Sequence, residues 1–385
     1  MKICAIICEF NPFHNGHKYI LEEAKRLSGC DRVLCIMSGS FTQRGDIAIL
    51  DKNTRARHAV LGGADCVIEL PVSFSVAPAE IFAKGAIKFL SSIPQVCCLA
   101  FGCEDNNSQE YLKAAQILIN ESEEFKNFLN KNLDEGNSYI KSYANAFINV
   151  GGNSELLEKP NNILGLEYTK AILSANCDIK ILPIKRIGAN FNDNELKSNL
   201  SSSSAIRNNL TSPLVNANVP NFVYKDLSGA VDTKQFKWQT RYDLVRADPE
   251  MLKGIFGCTE GLENRLISVA KDSDYDEILL KCTSKRYSQS RIKRIMCANL
   301  LNIYEADCRS FLNSELYIKP VAVKIDCADE ILSSLSKSSF PVITRGRDIE
   351  KLSPAGKKCF ELDTKAYSKY CLLSGKSDKD NLLLI

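Results

Sequence analysis

Two of the chain's three histidines stand three residues apart, as His14-Asn15-Gly16-His17. That spacing puts both imidazoles on one side of a helix's first turn, where free backbone N–H groups and the positive dipole end favour a phosphate. Two ring donors aimed at an α-phosphate stabilise the charge that builds up as a nucleophile attacks and pyrophosphate leaves. Asn11-Pro12-Phe13 makes a tight connection into that helix, and Gly16 lets a ligand approach the backbone. A second phosphate candidate is Ser201-Ser202-Ser203-Ser204-Ala205-Ile206-Arg207. Hydroxyls and N–H groups at a helix start, with a guanidinium one turn on, suit the outer phosphates. Each segment also has a plainer use, the histidines as caps or packing at a turn and the serines as a linker. No GxxxxGK[ST] loop and no GxGxxG after a strand is present, so P-loop and dinucleotide readings lack their phosphate cradle. His58, without an evident partner, is expected to be structural.

These residues need elements to hold them. Residues 2–9 (KICAIICE) read as a buried strand, and 18–27 as a helix with Ile20, Leu21, Ala24 and Leu27 on one face. Strands are predicted again at 33–37, 66–70, 96–101 and 179–187, with helices at 54–61 and 79–90, a charged helical stretch at 109–146, and a turn into a further helix at 199–209. Strands alternating with helices predict an α/β fold with a Rossmann-like parallel sheet, whose ligand site lies at the carboxyl ends of the strands. The histidine pair falls at such an end. Beyond residue 223 the chain turns polar and helical, most clearly at 261–270 and 288–304, with strands predicted at 316–325 and 340–343. Two domains are expected, a nucleotide-binding catalytic domain at 1–220 and a mainly helical one at 221–385.

With 49 Lys+Arg against 46 Asp+Glu the net charge is only +3, so any surface that grips nucleic acid must be a local patch. Residues 281–304 supply one: Lys281, Lys285, Arg286, Arg291, Lys293 and Arg294, with no acidic residue. On a helix from 288, Arg291 and Arg294 are expected to share an outer face that phosphates reach, and Tyr287 to stack on a splayed base, although such a run also suits a solvated face. Residues 43–57 hold Arg44, Lys52, Arg55 and Arg57 against Asp46 and Asp51, which suits either substrate guidance or a solvated helix. Sixteen cysteines occur without CxxC spacing and read as small core residues. With three histidines and no paired cysteines, no resident metal is expected. Only six uncharged residues precede Glu9, too few for a signal-peptide core, and no apolar window of roughly 18 residues exists, so a cytoplasmic protein without membrane contact is expected.

The string EFNPFHNGH from Glu9 to His17 is joined by Met37-Ser38-Gly39 with Phe41, Gln43-Arg44-Gly45, Gly63-Ala64-Asp65, Glu69-Leu70-Pro71, Phe101-Gly102, Pro160-Asn161-Asn162-Ile163-Leu164-Gly165 and Thr283-Ser284-Lys285-Arg286-Tyr287. Together these resemble the bacterial tRNA(Met) cytidine acetate ligases, within the wider group of HxGH nucleotidylyl transferases and class I tRNA synthetases. The resemblance covers residue 1 to about residue 300 and is loose over the last eighty. It implies a HUP-type nucleotidyltransferase domain. It further implies an enzyme that uses ATP, with Mg2+, to activate acetate as acetyl-adenylate and then acetylates the exocyclic amine of the wobble cytidine of elongator tRNA(Met).

Carried over by residue, the resemblance implies catalysis by His14 and His17. It implies ATP contacts from Ile7, Cys8, Glu9, Phe10, Asn11, Pro12, Phe13, His14, Asn15, Gly16, His17, Lys18, Tyr19 and Ile20, and from Gly102, Asn161 and Arg186. Gly102 offers bare backbone to an adenosine, Asn161 an amide, and Arg186 a partner for phosphate; their plainer uses are a turn, a helix cap and a surface charge. Ser202 and Arg207 join them for the outer phosphates, and tRNA is assigned to Lys285, Arg286, Tyr287, Arg291 and Arg294. Two departures stand out: Cys103 where the family usually has Ser, and IGANFND after Arg186 without the usual Tyr-His-Asp. A small-molecule adenylyltransferase of the HxGH class and a nucleotide-regulated RNA-binding protein stay open. The long segment after residue 220 speaks against the first, and the intact histidine pair against the second.

Overall fold

The computed structural model describes residues 1–104, 106–187, 196, 199–377 and 380–385. Strand β1 (Ile3–Cys8) is apolar without alternation, which is stable only where both faces are covered. It lies between β4 (Val96–Cys103) and β2 (Arg32–Ser38) in a seven-stranded sheet of order β5-β4-β1-β2-β3-β6-β7. The other members are β3 (Cys66–Leu70), β5 (Lys180–Lys185), β6 (Pro320–Val323) and β7 (Leu383–Leu384). β1 runs parallel to β2, from Ile3 opposite Arg32 to Cys8 opposite Met37, and parallel to β4; the β2–β3 and β4–β5 pairs are parallel too. The expected α/β arrangement is therefore present, with the carboxyl ends of β1 and β4 side by side.

Helix α1 (Asn15–Ser28) starts three residues before the predicted position because His14, extended at φ −141°, caps it, and Gly29 at φ 61° ends it. Leu21 and Ala24 are buried while Leu27 is exposed, so the apolar face is narrower than predicted. Helix α2 (Lys52–Leu61) begins at Asp51, whose side chain accepts from the Asn53 N–H.

The helices between residues 234 and 312 share an apolar cluster that includes Phe236, Leu244, Leu266, Ile295 and Leu300. Phe41 and Ile47, from the loop joining β2 to α2, are buried in the same cluster, so the helical part rests on the part of the chain that carries β1 to β3. The sheet does not stop at residue 220. β6 pairs antiparallel with β3, with Cys66 opposite Val323, and β7 extends β6. The outer edge of β3 carries N–H and C=O groups that need a strand partner, and nothing local marks which segment supplies it. Of the two strands predicted there, 316–325 contains β6, whereas 340–343 makes only a bridge, Val342 to Ile318. Among the described residues no helix is long and apolar enough to cross a membrane. All sixteen cysteines are free, and all but Cys97 and Cys177 are buried.

Candidate active site at the ends of β1 and β4

A cavity of about 620 Å³ opens where β1 and β4 end, and both histidines line it. The His14 Nδ1 accepts from the Gly16 N–H at 3.1 Å, and the His17 Nδ1 accepts from the His14 N–H at 3.3 Å. A backbone N–H can only donate, so both Nδ1 atoms are unprotonated and each neutral ring carries its proton on Nε2. The rings stack, with centroids 3.6 Å apart and planes 20° apart. Burial, then Arg186 and Arg207, push His14 down to about 3. Burial, then His14 and Arg186, hold His17 well below the usual histidine range. At neutral pH the pair is thus two uncharged Nε2–H donors. A Cβ on Gly16 would lie 2.9 Å from the His14 ring, which explains the glycine between them.

Arg186 follows β5 with its N–H on the Cys103 carbonyl at 2.9 Å. Its side chain and that of Ile20 crowd Gly102, where an added Cβ would meet each at 3.3 Å. Asn161 donates to the Glu104 carboxylate at 2.8 Å and lines the cavity. Its neighbour Asn162 is fully buried; its Oδ1 accepts from the Tyr111 hydroxyl and the Glu104 N–H, both at 3.0 Å. Ser202 caps the helix Ser203–Asn208, its Oγ accepting from the Ala205 N–H at 3.0 Å. One turn on, Arg207 donates to the Asn11 carbonyl at 2.6 Å and to Ser204 Oγ at 3.0 Å. Ser202 and Arg207 both line the cavity, so the structure brings the two phosphate candidates together.

Not all of residues 7–20 reach it. Ile7, Cys8, Glu9, Phe10, Asn11, His14, His17 and Ile20 line the cavity, and Gly16 and Tyr19 border a small adjoining recess. Pro12 and Phe13 are buried instead, Phe13 edge-on to Phe10 at 5.0 Å. Asn15 donates to the Ala217 carbonyl at 2.9 Å, and Lys18 is exposed, 3.8 Å from Glu22. A helix shows one side to a cavity, so a continuous stretch cannot all touch one ligand.

The basic segment departs further. Tyr287 is buried, donates to Glu260 at 3.1 Å, and is covered by the Arg291 guanidinium 4.8 Å from its ring centre. Arg291 Nε donates to the Gly257 carbonyl at 2.8 Å. Both help to hold this loop, and the guanidinium, rather than a base, lies over the Tyr287 ring. Arg294 does not share an outer face with Arg291 but lines the cavity, beside Ser288, Gln289 and Ser290. Three residues apart, the two are neighbours on the helix, but Arg291 turns onto the Gly257 carbonyl while Arg294 turns to the cavity. Lys285 and Arg286 are exposed as expected, Arg286 paired with Glu260.

Arg44 also lines the cavity, a role the composition of its segment left undecided. So does Glu9, whose carboxylate accepts from the Gln43 N–H at 2.6 Å and is raised above the usual range by burial. His58 is buried with Nε2 2.7 Å from Asp226, a structural contact. The altered segment after Arg186 lies outside the described residues from 188 to 195.

The family model for HIGH Nucleotidyl Transferase matches residues 1–382. A protein of Acetivibrio thermocellus named tRNA(Met) cytidine acetate ligase is 35% identical, covering 97% of this chain and 95% of its own. One of the same name from Clostridium perfringens is 34% identical over 100% of this chain and 98% of its own. The apo crystal structure of Thermotoga maritima TmcAL matches with a TM-score of 0.92 at 28% identity, covering both chains fully. The form of that protein bound with alpha-thio ATP matches at 0.89 with the same identity and coverage. The likeness therefore extends through the last eighty residues, where the motifs alone are loose. On its motifs, its fold and its relatives, the chain belongs to the tRNA(Met) cytidine acetate ligase family of HIGH nucleotidyl transferases.

Proposed function

We propose that this chain is an ATP-dependent ligase that activates acetate as acetyl-adenylate and transfers the acetyl group to the exocyclic amine of the wobble cytidine of elongator tRNA(Met). The observation that carries the reading is the pair of neutral Nε2–H donors at the end of β1. In the first step an acetate oxygen attacks the α-phosphorus of ATP, a P–O bond forms, and the bond to the β-phosphate breaks with release of pyrophosphate. His14 and His17 donate to the α-phosphate oxygens as their charge grows, and Arg207 with the Ser202 turn receives the departing phosphates. Gly102, Asn161 and Arg186 hold the rest of the nucleotide. Mg2+ arriving with ATP would add positive charge against the departing pyrophosphate, beside that of Arg207. In the second step the cytidine amine attacks the acetyl carbonyl, the C–O bond to AMP breaks, and the amine's proton passes to solvent.

Adenylate formation falls to the part before residue 220, and most of the tRNA contact to the part after it, with Lys285 and Arg286 on the outer surface. The cytoplasm, where tRNA is used, is its place of action. A small-molecule adenylyltransferase would not need a cavity whose rim is built by residues 288–294. Incubation with labelled acetate, ATP and bulk tRNA tests the reading. Label in tRNA, and acetate-dependent ATP–pyrophosphate exchange without tRNA, are the expected results. Adenylyl transfer to a small phosphate acceptor, or RNA binding without exchange, would replace it.

A further inference from the structure

Arg207, Arg44 and Arg294 all line the cavity that holds the histidine pair. Arg44 and Arg294 come from distant parts of the chain, the loop between β2 and α2 and the helix Gln289–Leu301. The two segments are locked together. Lys293 pairs with Asp46 at 2.9 Å, and Gly45, at φ 79°, lies so close to the helix that a Cβ would sit 2.5 Å from the Lys293 and Arg294 backbone. Arg294 is half-buried, lines the cavity, and has no hydrogen bond or ion pair among the described residues. Burial, then Arg291 and Arg44, push it down to about 10. Arg44 and Arg294 line the same cavity, where the Glu9 carboxylate is the nearby acidic group, and an anion entering there would meet both guanidinium groups.

The identity of the anion rests on the ligase reading. On that reading the phosphates of ATP fall to the histidines, Ser202 and Arg207, all before residue 220. Arg294 belongs to the later part, and its segment continues outward to exposed Lys285 and Arg286 with no acidic residue from 281 to 304. A polyanion following that edge reaches Arg294 and Arg44 at the rim of the cavity. We infer that Arg44 and Arg294 form a two-pronged clamp for an RNA backbone phosphate adjoining the acetylated cytidine. Gly45 is what lets the loop that carries Arg44 lie flush against the helix that carries Arg294.

The test measures tRNA affinity across a salt series, and acetate-dependent ATP–pyrophosphate exchange without tRNA, on full-length Arg44→Ala, Arg294→Ala, the double variant and Arg294→Lys. Each single change is expected to weaken tRNA binding about tenfold, the scale of one charged hydrogen bond. Each should also flatten the slope of log affinity against log salt by about 0.7 to 0.9. The double variant should lose little more, because both prongs hold one phosphate, and Arg294→Lys should recover part of the loss. Exchange and the KM for ATP are read beside tRNA affinity, and an unchanged denaturation midpoint shows that the variants fold. Exchange lost in step with tRNA binding, or a raised KM for ATP, would give the prongs to ATP and overturn the clamp, as would unchanged tRNA affinity and slope. Absence of exchange in the unaltered protein would count against the ligase reading, while tRNA affinity and its salt slope would still decide the clamp.

Discussion

His14 and His17 are held as donors by backbone N–H groups that occupy the other nitrogen of each ring. Removing either ring should therefore act on the transition state more than on ATP binding. His14→Ala and His17→Ala are each expected to lower kcat by about 2.7 to 4 kcal/mol of barrier, with a small change in ATP affinity, and the double change to fall short of the sum. Pre-steady-state adenylate formation together with nucleotide titration checks this. The same burial fixes a pH dependence. An unfolded chain protonates His14 near 6.5, whereas the folded one does so only near about 3. The unfolded state then binds more protons between those values, so stability is complete above 6.5 and is lost as pH falls, by at most about 1.4 kcal/mol per pH unit. A urea series from pH 7 to pH 5 should show that slope, and His14→Asn should reduce it. The motif and its phosphate chemistry were legible because they are local, two residue types at fixed spacing. The roles of Arg291 and Arg294 were not, since the Gly257 carbonyl that takes one and the cavity that takes the other are built by distant parts of the chain.

Among the elements, the strand–helix alternation was readable because continuous apolar strands and helical periods are local patterns. The partner of the β3 edge was not, because the two segments lie some 250 residues apart and only the closed sheet brings Cys66 opposite Val323. The PNNILG segment shows the same division at shorter range. Asn161 and Asn162 look alike in sequence, but only Asn162 is enclosed, accepting from Tyr111 and Glu104 and donating to the Glu155 carbonyl at 3.2 Å. Asn162→Ala leaves the buried Tyr111 hydroxyl without that acceptor and should destabilise the fold by about 1 to 3 kcal/mol. Asn161→Ala should leave the denaturation midpoint nearly unchanged and raise the KM for ATP. Equal loss of stability in both variants would reverse the assignment of the two amides.

At the scale of the whole molecule, the return of the last residues to the sheet is held by a buried group of charges. Lys52 of α2 meets both oxygens of Glu69 on β3, at 3.0 and 2.9 Å, and Asp380 at 2.8 Å. Lys319, just before β6, meets Glu69 at 3.0 Å and also Asp380. Four segments far apart in sequence thus share two carboxylates and two ammonium groups. Lys52 and Glu69 are buried, while a quarter of the Asp380 side chain reaches solvent. The two carboxylates should therefore not be equivalent. Glu69→Gln leaves two buried ammonium groups short of a charge and should destabilise by about 3 to 5 kcal/mol, the range for breaking a buried pair. Asp380→Asn should cost distinctly less, because water can solvate what it leaves. Burial raises the Glu69 pKa, but Lys319 and Lys52 more than offset this and bring it to about 2. A folded-state value below the ordinary 4.5 means that this stabilisation is complete above 4.5 and is lost as pH falls toward 2. Acid unfolding of the parent protein should steepen in that window, and the Glu69→Gln variant should lose that part of the steepness. Equal effects of the two substitutions, or an acid transition that Glu69→Gln leaves unaltered, would show that the tail is held by the β6–β7 pairing and not by these charges.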